Sequence, residues 1–335
     1  MPTQFAAEVK NFSLPVKIAD PKIQKQAIGF IQFAISAAEE ALQDAGIKPT
    51  EATASRWGLV GGCGMISAEF DYWLKFHSEF AASGEVDVAK LGQKGLNSIA
   101  PSEFAKMQPN GGLGLIAKLH NIRGFVTGVH TACASGGQAL GMGMQSIRRG
   151  QCDYVLAGGF DSMLNQMSLA GFSLLGALST YNETPHSASR PFDLTRNGFV
   201  LAEGAAFLVL EDWDKAKARG AKIYAELAGE GNTLSCYRIT DSHPSGDGAI
   251  QAIKLALAEA NLQPEQIDYI NAHGTSTKMN DFSETNAIKA VFKDRAKQIS
   301  ISATKSQVGH LISAAGAIEG AFTALAIHYG KAPMT

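Results

Sequence analysis

The segment Ala41-Leu42-Gln43-Asp44-Ala45-Gly46-Ile47-Lys48-Pro49 returns, in kind, as Ala256-Leu257-Ala258-Glu259-Ala260-Asn261-Leu262-Gln263-Pro264, 215 positions later. Each copy is a helix end that runs through a Gly or Asn stop into Pro and leads toward an apolar strand. A second echo follows: VHTACASGGQALG and ATKSQVGHLISAAGA each offer a strand, a sharp turn carrying a reactive residue, and a helix of small residues. A chain written twice in this way is held to a fold of two similar α/β units. The remaining pattern agrees, with short apolar runs alternating with longer amphipathic ones, as in a layered α/β fold. Strands are expected at Gly58–Gly62, Phe125–Val129, Tyr154–Ala157, Ala206–Leu210, Tyr224–Ala228, Tyr269–Ala272 and Ile299–Ser302. Helices are expected at Ile28–Ala45, Gly136–Arg149, Ala249–Ala260, Phe282–Phe292 and Ala315–Tyr329.

Composition narrows the function classes. The 335 residues are 45% hydrophobic and 18% charged with a formal net charge of −2, so no basic excess points to nucleic acid. Every long apolar stretch is interrupted before it reaches membrane-spanning length, and the first residues have no signal-peptide pattern, so no membrane association is expected. Cys63, Cys133, Cys152 and Cys236 form no CxxC pair, and with eight scattered His they give no metal-ligand spacing. No metal is expected. A reducing compartment is, the cytoplasm or an organelle's stroma or matrix.

Four residues carry the chemistry. Cys133 stands between the β-type run Phe125–Val129 and a helix starting near Ser135 or Gly136. A helix N-terminus favours thiolate, so Cys133 is expected to be a nucleophile that alkylates faster than the other three cysteines. The same N–H groups suit an oxyanion. His273 follows a strand end, where sites of open α/β sheets gather, and Thr275 and Thr277 offer hydroxyls just after it. His310 follows another strand and precedes a helix of Ala, Ser and Gly, a position that disfavours imidazolium. Lys305, five residues before His310, is expected to orient it and lower its pKa, and Glu319 lies nine residues after it. Two neutral imidazole donors suit an enolate. A hydrolase with one His as general base also remains open on these residues.

VHTACASGGQALG, NAHGTSTKMND and ATKSQVGHLISAAGAIEG resemble the three motifs of the β-ketoacyl-acyl-carrier-protein synthases, in the Cys-His-His elongating branch similar to ketoacyl synthase II. GALSTYNETPHSASRPFDLTRNGFVLAEGAAFLVLED resembles the family's connecting segment, so the likeness runs over nearly the whole chain. The resemblance implies a thiolase-like α/β fold, two halves in a five-layered αβαβα body, divided here as residues 1–215 and 216–335. It implies a decarboxylative Claisen condensation in fatty acid or polyketide elongation, giving a 3-oxoacyl-acyl carrier protein. Cys133 would carry the acyl group, His273 and His310 would stabilise the malonyl enolate, and Lys305 would support His310, with Glu319 as structural support. Thr275 and Thr277 match threonines that bind phosphopantetheine, Phe172 matches the acyl-pocket wall, and Lys22 and Lys25 fall near carrier-docking residues. No cofactor is implied beyond the phosphopantetheine that the substrates carry. The implied partners are an acyl carrier protein and a second copy in a homodimer, or a chain-length-factor-like subunit in a heterodimer. Lys278 stands where the family often has proline. The family's VVVTG-like opening strand and GFGGTN-like closing loop are not in these residues, so a piece of a longer protein, poorly soluble and weakly active alone, is expected.

Overall fold

The computed structural model describes residues 1–14, 21–27, 29–64, 70–98, 108–238 and 240–335. Among them, strands β1 (Trp57–Cys63), β2 (Val126–Val129), β3 (Tyr154–Ser162) and β4 (Glu203–Glu211) form one sheet in the order β2-β1-β3-β4. β1 runs parallel to β2 and β3, and β4 runs antiparallel to β3. Strands β5 (Tyr269–Asn271) and β6 (Ser300–Ser302) pair in parallel as a second sheet. The helices that position the site are α1 (Gly29–Ala45), α2 (Gly111–Leu119), α3 (Ser135–Arg148), α4 (Gln166–Leu174), α5 (Asp247–Glu259), α6 (Lys278–Phe292) and α7 (Ala315–Tyr329).

β1 reads WGLVGGC and is buried along its whole length, as a central parallel strand covered on both faces must be. On one face, Ile31, Ala34, Ile35 and Ala38 of α1 and Leu113 and Ile116 of α2 close over Leu59 and Phe160. On the other, Ala139 and Leu140 of α3 pack on Val60, Val155 and Ala157. α7 lies beside α3 in this middle layer. Beyond it, β5 and β6 carry α5 and α6 on their far side, where Ile253, Leu257, Ile288 and Val291 surround Ile270 and Ile299. The order is therefore helix, sheet, helix, sheet, helix, the five-layered arrangement expected.

The duplication is visible at its sharpest in the middle layer. A 3₁₀ turn, Ala132–Ala134, hands over to α3, and a second, Ile312–Ala314, hands over to α7 with the same spacing. Both turns open on a non-glycine residue in the left-handed region, Ala132 at φ 51° and Ile312 at φ 46°. That conformation is costly for any residue with a Cβ, most of all a β-branched one. The register places Ser313 opposite Cys133 and Ala315 opposite Ser135, 180 positions apart. The two helices meet where they carry glycine: a methyl group on Gly136 would lie 2.6 Å from Ala317 N, and one on Gly316 would lie 2.4 Å from Gly137 N.

The halves are also joined by backbone. His310 N–H donates to Val200 O at 2.8 Å and Ala202 N–H donates to His310 O at 3.0 Å, so the His310 stretch lies alongside the lead-in to β4.

One expectation of the fold needs correction. The run Tyr224–Ala228 forms no strand, because no described strand lies beside it. Arg148 Nη2 instead donates to Ala228 O. The helix expected from Ile28 is described from Gly29 on, Ile28 lying outside the described residues. Helices Phe70–Phe80, Val88–Ser98, α2 and α4 were not expected. α2 begins Gly-Gly, and burial of Gly112, Leu113, Leu115 and Ile116 outweighs poor propensity there. Asn165 caps α4 by accepting Ser168 N–H at 2.9 Å. No helix among the described residues is long and apolar enough to cross a membrane.

Candidate active site

Cys133 occupies the middle of its 3₁₀ turn, half-buried. The turn is tied locally by Ser135, whose hydroxyl accepts Thr131 N–H at 2.8 Å and donates to Ala132 O at 2.7 Å. Leu178, Phe199 and Ile312 form an apolar cluster against which the thiol packs. Burial accordingly pushes the thiol up to about 11, opposed by the Lys305 charge and by backbone N–H. The expected thiolate is thus not the resting form. Cys133 lies in the turn ahead of α3 rather than in its first turn, and exclusion of water outweighs the helix end. Cys63 and Cys152 are buried, and Cys236 is exposed.

His310 is 2% exposed and lies across from the thiol. Its Nδ1 accepts Ile312 N–H at 3.2 Å, so in the neutral ring the proton sits on Nε2. Nε2–H then donates to Cys133 Sγ at 3.0 Å. Burial holds His310 well below the ordinary imidazole range, with Lys305 and His273 adding to the effect. His273, just past β5, is also held well below it, by burial first and Lys305 second. The two rings stand 5.4 Å apart, nearly perpendicular at 85°.

Lys305 is 2% exposed, and each of its three ammonium protons has an acceptor. It donates to His273 Nδ1 at 3.2 Å, to His273 O at 2.7 Å, and to Glu319, with which it forms a tight ion pair. Lys305 therefore orients His273, not His310 as expected. It opens the short helical turn Lys305–Val308, and its ammonium reaches the residue just past β5. Its donation to Nδ1 also leaves the His273 proton on Nε2. Glu319 has the supporting place expected of it, burial raising its pKa against the pull of Lys305.

Glu284, which the sequence did not single out, accepts His273 N–H at 2.7 Å and Gly274 N–H at 2.8 Å from α6. An acidic residue on an amphipathic helix carries no mark of such a role. Thr275 and Thr277 share a hydroxyl hydrogen bond of 2.8 Å on the turn after His273. Phe172 on α4 meets Phe199 edge-on at 5.5 Å, and Phe199 meets His310 edge-on at 5.1 Å. The aromatic wall thus reaches from α4 to the imidazole. Lys25 is exposed on the helix Pro21–Gln26, and the Lys22 side chain lies outside the described residues.

The sulfur of Cys133 and one ring nitrogen each of His273 and His310 all lie within 4.8 Å of one another. By distance this set could grip a divalent metal. The chemistry around it does not fit, because a metal-bound imidazole turns its other N–H to an acceptor. Here both Nδ1 atoms face donors, Ile312 N–H and the Lys305 ammonium. What the arrangement supplies is two N–H groups directed at one small volume beside a thiol. Such a place suits an oxygen that gains negative charge.

Comparison with known proteins gives the same picture. Residues 2–216 match the family model described as beta-ketoacyl synthase, N-terminal domain, and residues 224–335 match beta-ketoacyl synthase, C-terminal domain. The chain is 41% identical over 315 residues to the mitochondrial 3-oxoacyl-[acyl-carrier-protein] synthase of Arabidopsis thaliana, covering 93% of this chain and 66% of that one. It is 38% identical over 330 residues to 3-oxoacyl-[acyl-carrier-protein] synthase 2 of Staphylococcus aureus strain COL, covering 98% and 76%. Among solved structures, a ketosynthase complex with a type II polyketide acyl-carrier protein superposes with a TM-score of 0.82 at 33% identity, covering 98% of this chain and 76% of that one. The chain thus spans 66% of the length of the first of these relatives and 76% of the other two.

Proposed function

Since the chain belongs to the β-ketoacyl synthase family, we propose that it joins an acyl thioester to malonyl-acyl carrier protein by decarboxylative Claisen condensation. The observation that carries this reading is the pair of Nε2–H donors fixed beside the Cys133 sulfur. In the first step Cys133 sulfur attacks the thioester carbonyl, the leaving carrier thiol takes up the proton, and an acyl-enzyme results. The His310 Nε2–H steadies the sulfur as its proton departs. In the second step the malonyl thioester oxygen lies between His273 and His310. The C–C bond to the carboxylate breaks, CO2 leaves, and the electron pair passes to an enolate held by both donors. The enolate carbon attacks the acyl-enzyme, and Cys133 is released. Both imidazoles are neutral, and each offers its Nε2–H as a donor while Nδ1 is occupied.

Thr275 and Thr277, on the turn after His273, are the proposed contacts for the phosphopantetheine arm, and Phe172 with Phe199 the proposed wall of the acyl site. An acyl carrier protein is the proposed partner. A homodimer is supported by β2, an outer strand whose Val126 and neighbouring Phe125 are exposed. Four free cysteines favour a reducing compartment.

The test separates nucleophile from donors. Cys133→Ala is expected to abolish acyl-enzyme formation while malonyl-carrier decarboxylation stays measurable. His273→Ala or His310→Ala is expected to lower decarboxylation by about 10²–10³ while sparing part of acyl transfer. Radiolabelled acyl transfer and CO2 release report the two steps. Normal decarboxylation by His310→Ala would remove the two-donor site.

A further inference from the structure

The two repeated turns are held differently. In the first, Ser135 ties the turn to itself through two hydrogen bonds. In the second, the matching position is Ala315, which has no hydroxyl to offer. Yet Ile312 is held at φ 46°, and its N–H must point at His310 Nδ1 for the Nε2–H tautomer to persist. The missing tie comes from the other half of the molecule. Asp161, near the end of β3, is 3% exposed, a carboxylate closing an otherwise apolar strand, YVLAGGFDS. Its Oδ2 accepts Ser313 N–H at 3.0 Å across 152 residues of chain. The Ser313 hydroxyl and Ser162 N–H serve the same carboxylate. Gly64 leaves the room it needs, since a Cβ there would lie 2.4 Å from Asp161 Oδ1. Burying a carboxylate is costly unless its lone pairs are used, and here they are used on the one turn that sets a catalytic ring.

We propose that Asp161 is the positioning residue that fixes the tautomer of His310, acting through the Ile312–Ser313 turn. The carboxylate holds Ser313 N–H, the held turn keeps Ile312 N–H on Nδ1, and Nε2–H is left to face substrate oxygen. Released from Asp161, Ile312 relaxes toward ordinary φ, Nδ1 loses its donor, and the ring can place its proton on Nδ1. Nε2 then becomes a lone pair aimed at a developing oxyanion.

This rests on the reading of the site as a decarboxylating one, so the test has two independent readouts. Nitrogen-15 spectra of histidine-labelled full chain report the His310 tautomer directly, with or without turnover. The parent is expected to show Nε2–H, Asp161→Ala a mixture, and Asp161→Asn, which keeps an oxygen for Ser313 N–H, the parent's tautomer. Malonyl-carrier decarboxylation should fall at least about tenfold in Asp161→Ala, more than acylation of Cys133 does. Ala315→Ser in the Asp161→Ala background, restoring a local tie like that of Ser135, should recover part of both signals. The proposal is overturned if the Nε2–H tautomer survives in Asp161→Ala, or is lost in a folded Asp161→Asn. An equal loss of acylation and decarboxylation with no recovery by Ala315→Ser also overturns it. A parent chain with the expected tautomer and no decarboxylation would instead defeat the functional reading and leave the role of Asp161 supported.

Discussion

A buried thiol beside a neutral imidazole has a measurable signature. With Cys133 pushed up to about 11, the thiolate fraction keeps growing tenfold per pH unit through neutrality and beyond pH 9. The rate of Cys133 alkylation by iodoacetamide, followed by peptide mapping, should therefore climb until close to that value. An ordinary thiol levels off near about 8.5. A plateau below pH 8 would mean that the His310 contact and the end of α3 together outweigh burial. Cys133, His273 and His310 were legible in the sequence because each follows a strand and precedes a turn or helix of small residues. The resting protonation of Cys133 was not. It arises from Leu178, Phe199 and Ile312, which reach the sulfur from distant segments. The partner of Lys305 was hidden for a similar reason: separation along the chain says nothing of which way a side chain faces on a short turn.

The contact between α3 and α7 makes its own prediction. Exchanging a helical glycine for alanine ordinarily stabilises by up to about 1 kcal/mol. At Gly136 the new methyl would meet Ala317 N at 2.6 Å and Ser313 O at 3.0 Å, backbone atoms that cannot swing aside. Gly136→Ala is expected to destabilise by about 1–3 kcal/mol, as overpacking does. Gly137, one residue on, has nothing within 4 Å of a built Cβ, and Gly137→Ala should be neutral or stabilising. Urea titrations of the two variants give the comparison, and equal behaviour would show that the helices can part without cost. α1, whose apolar residues recur with a helical period, was legible along nearly its whole length, and so was α7, a long run rich in helix formers. α2 was not, because its glycines conceal a helix that exists to cover β1. Tyr224–Ala228 has the composition of a strand but pairs with no strand among the described residues, and pairing is not written in a single segment.

The two halves share a middle layer, a backbone ladder at His310 and the Asp161–Ser313 bond, so they should unfold together. Trp57, Trp73 and Trp213 all lie in the first half, so tryptophan fluorescence reports that half alone. The nitrogen-15 signal of His273 reports the second. Both should vanish at one urea concentration, and separated midpoints would show two independent bodies. The duplication was legible from the repeat at Ala41–Pro49 and Ala256–Pro264 and the five layers from the family resemblance, while the stitching between halves was not, since it joins residues that share no local pattern. That stitching has a consequence for the chain during synthesis. Cys133 leaves the ribosome 177 residues before His310, the imidazole that completes its surroundings. Until the His310–Ala314 stretch docks, the sulfur lacks its donor and the Ile312 part of its apolar cover, and a nascent or half-degraded chain holds only an unassisted thiol. On the proposed function, an acyl group on Cys133 would be a certificate of completed folding, issued only when both ends of the duplication have met.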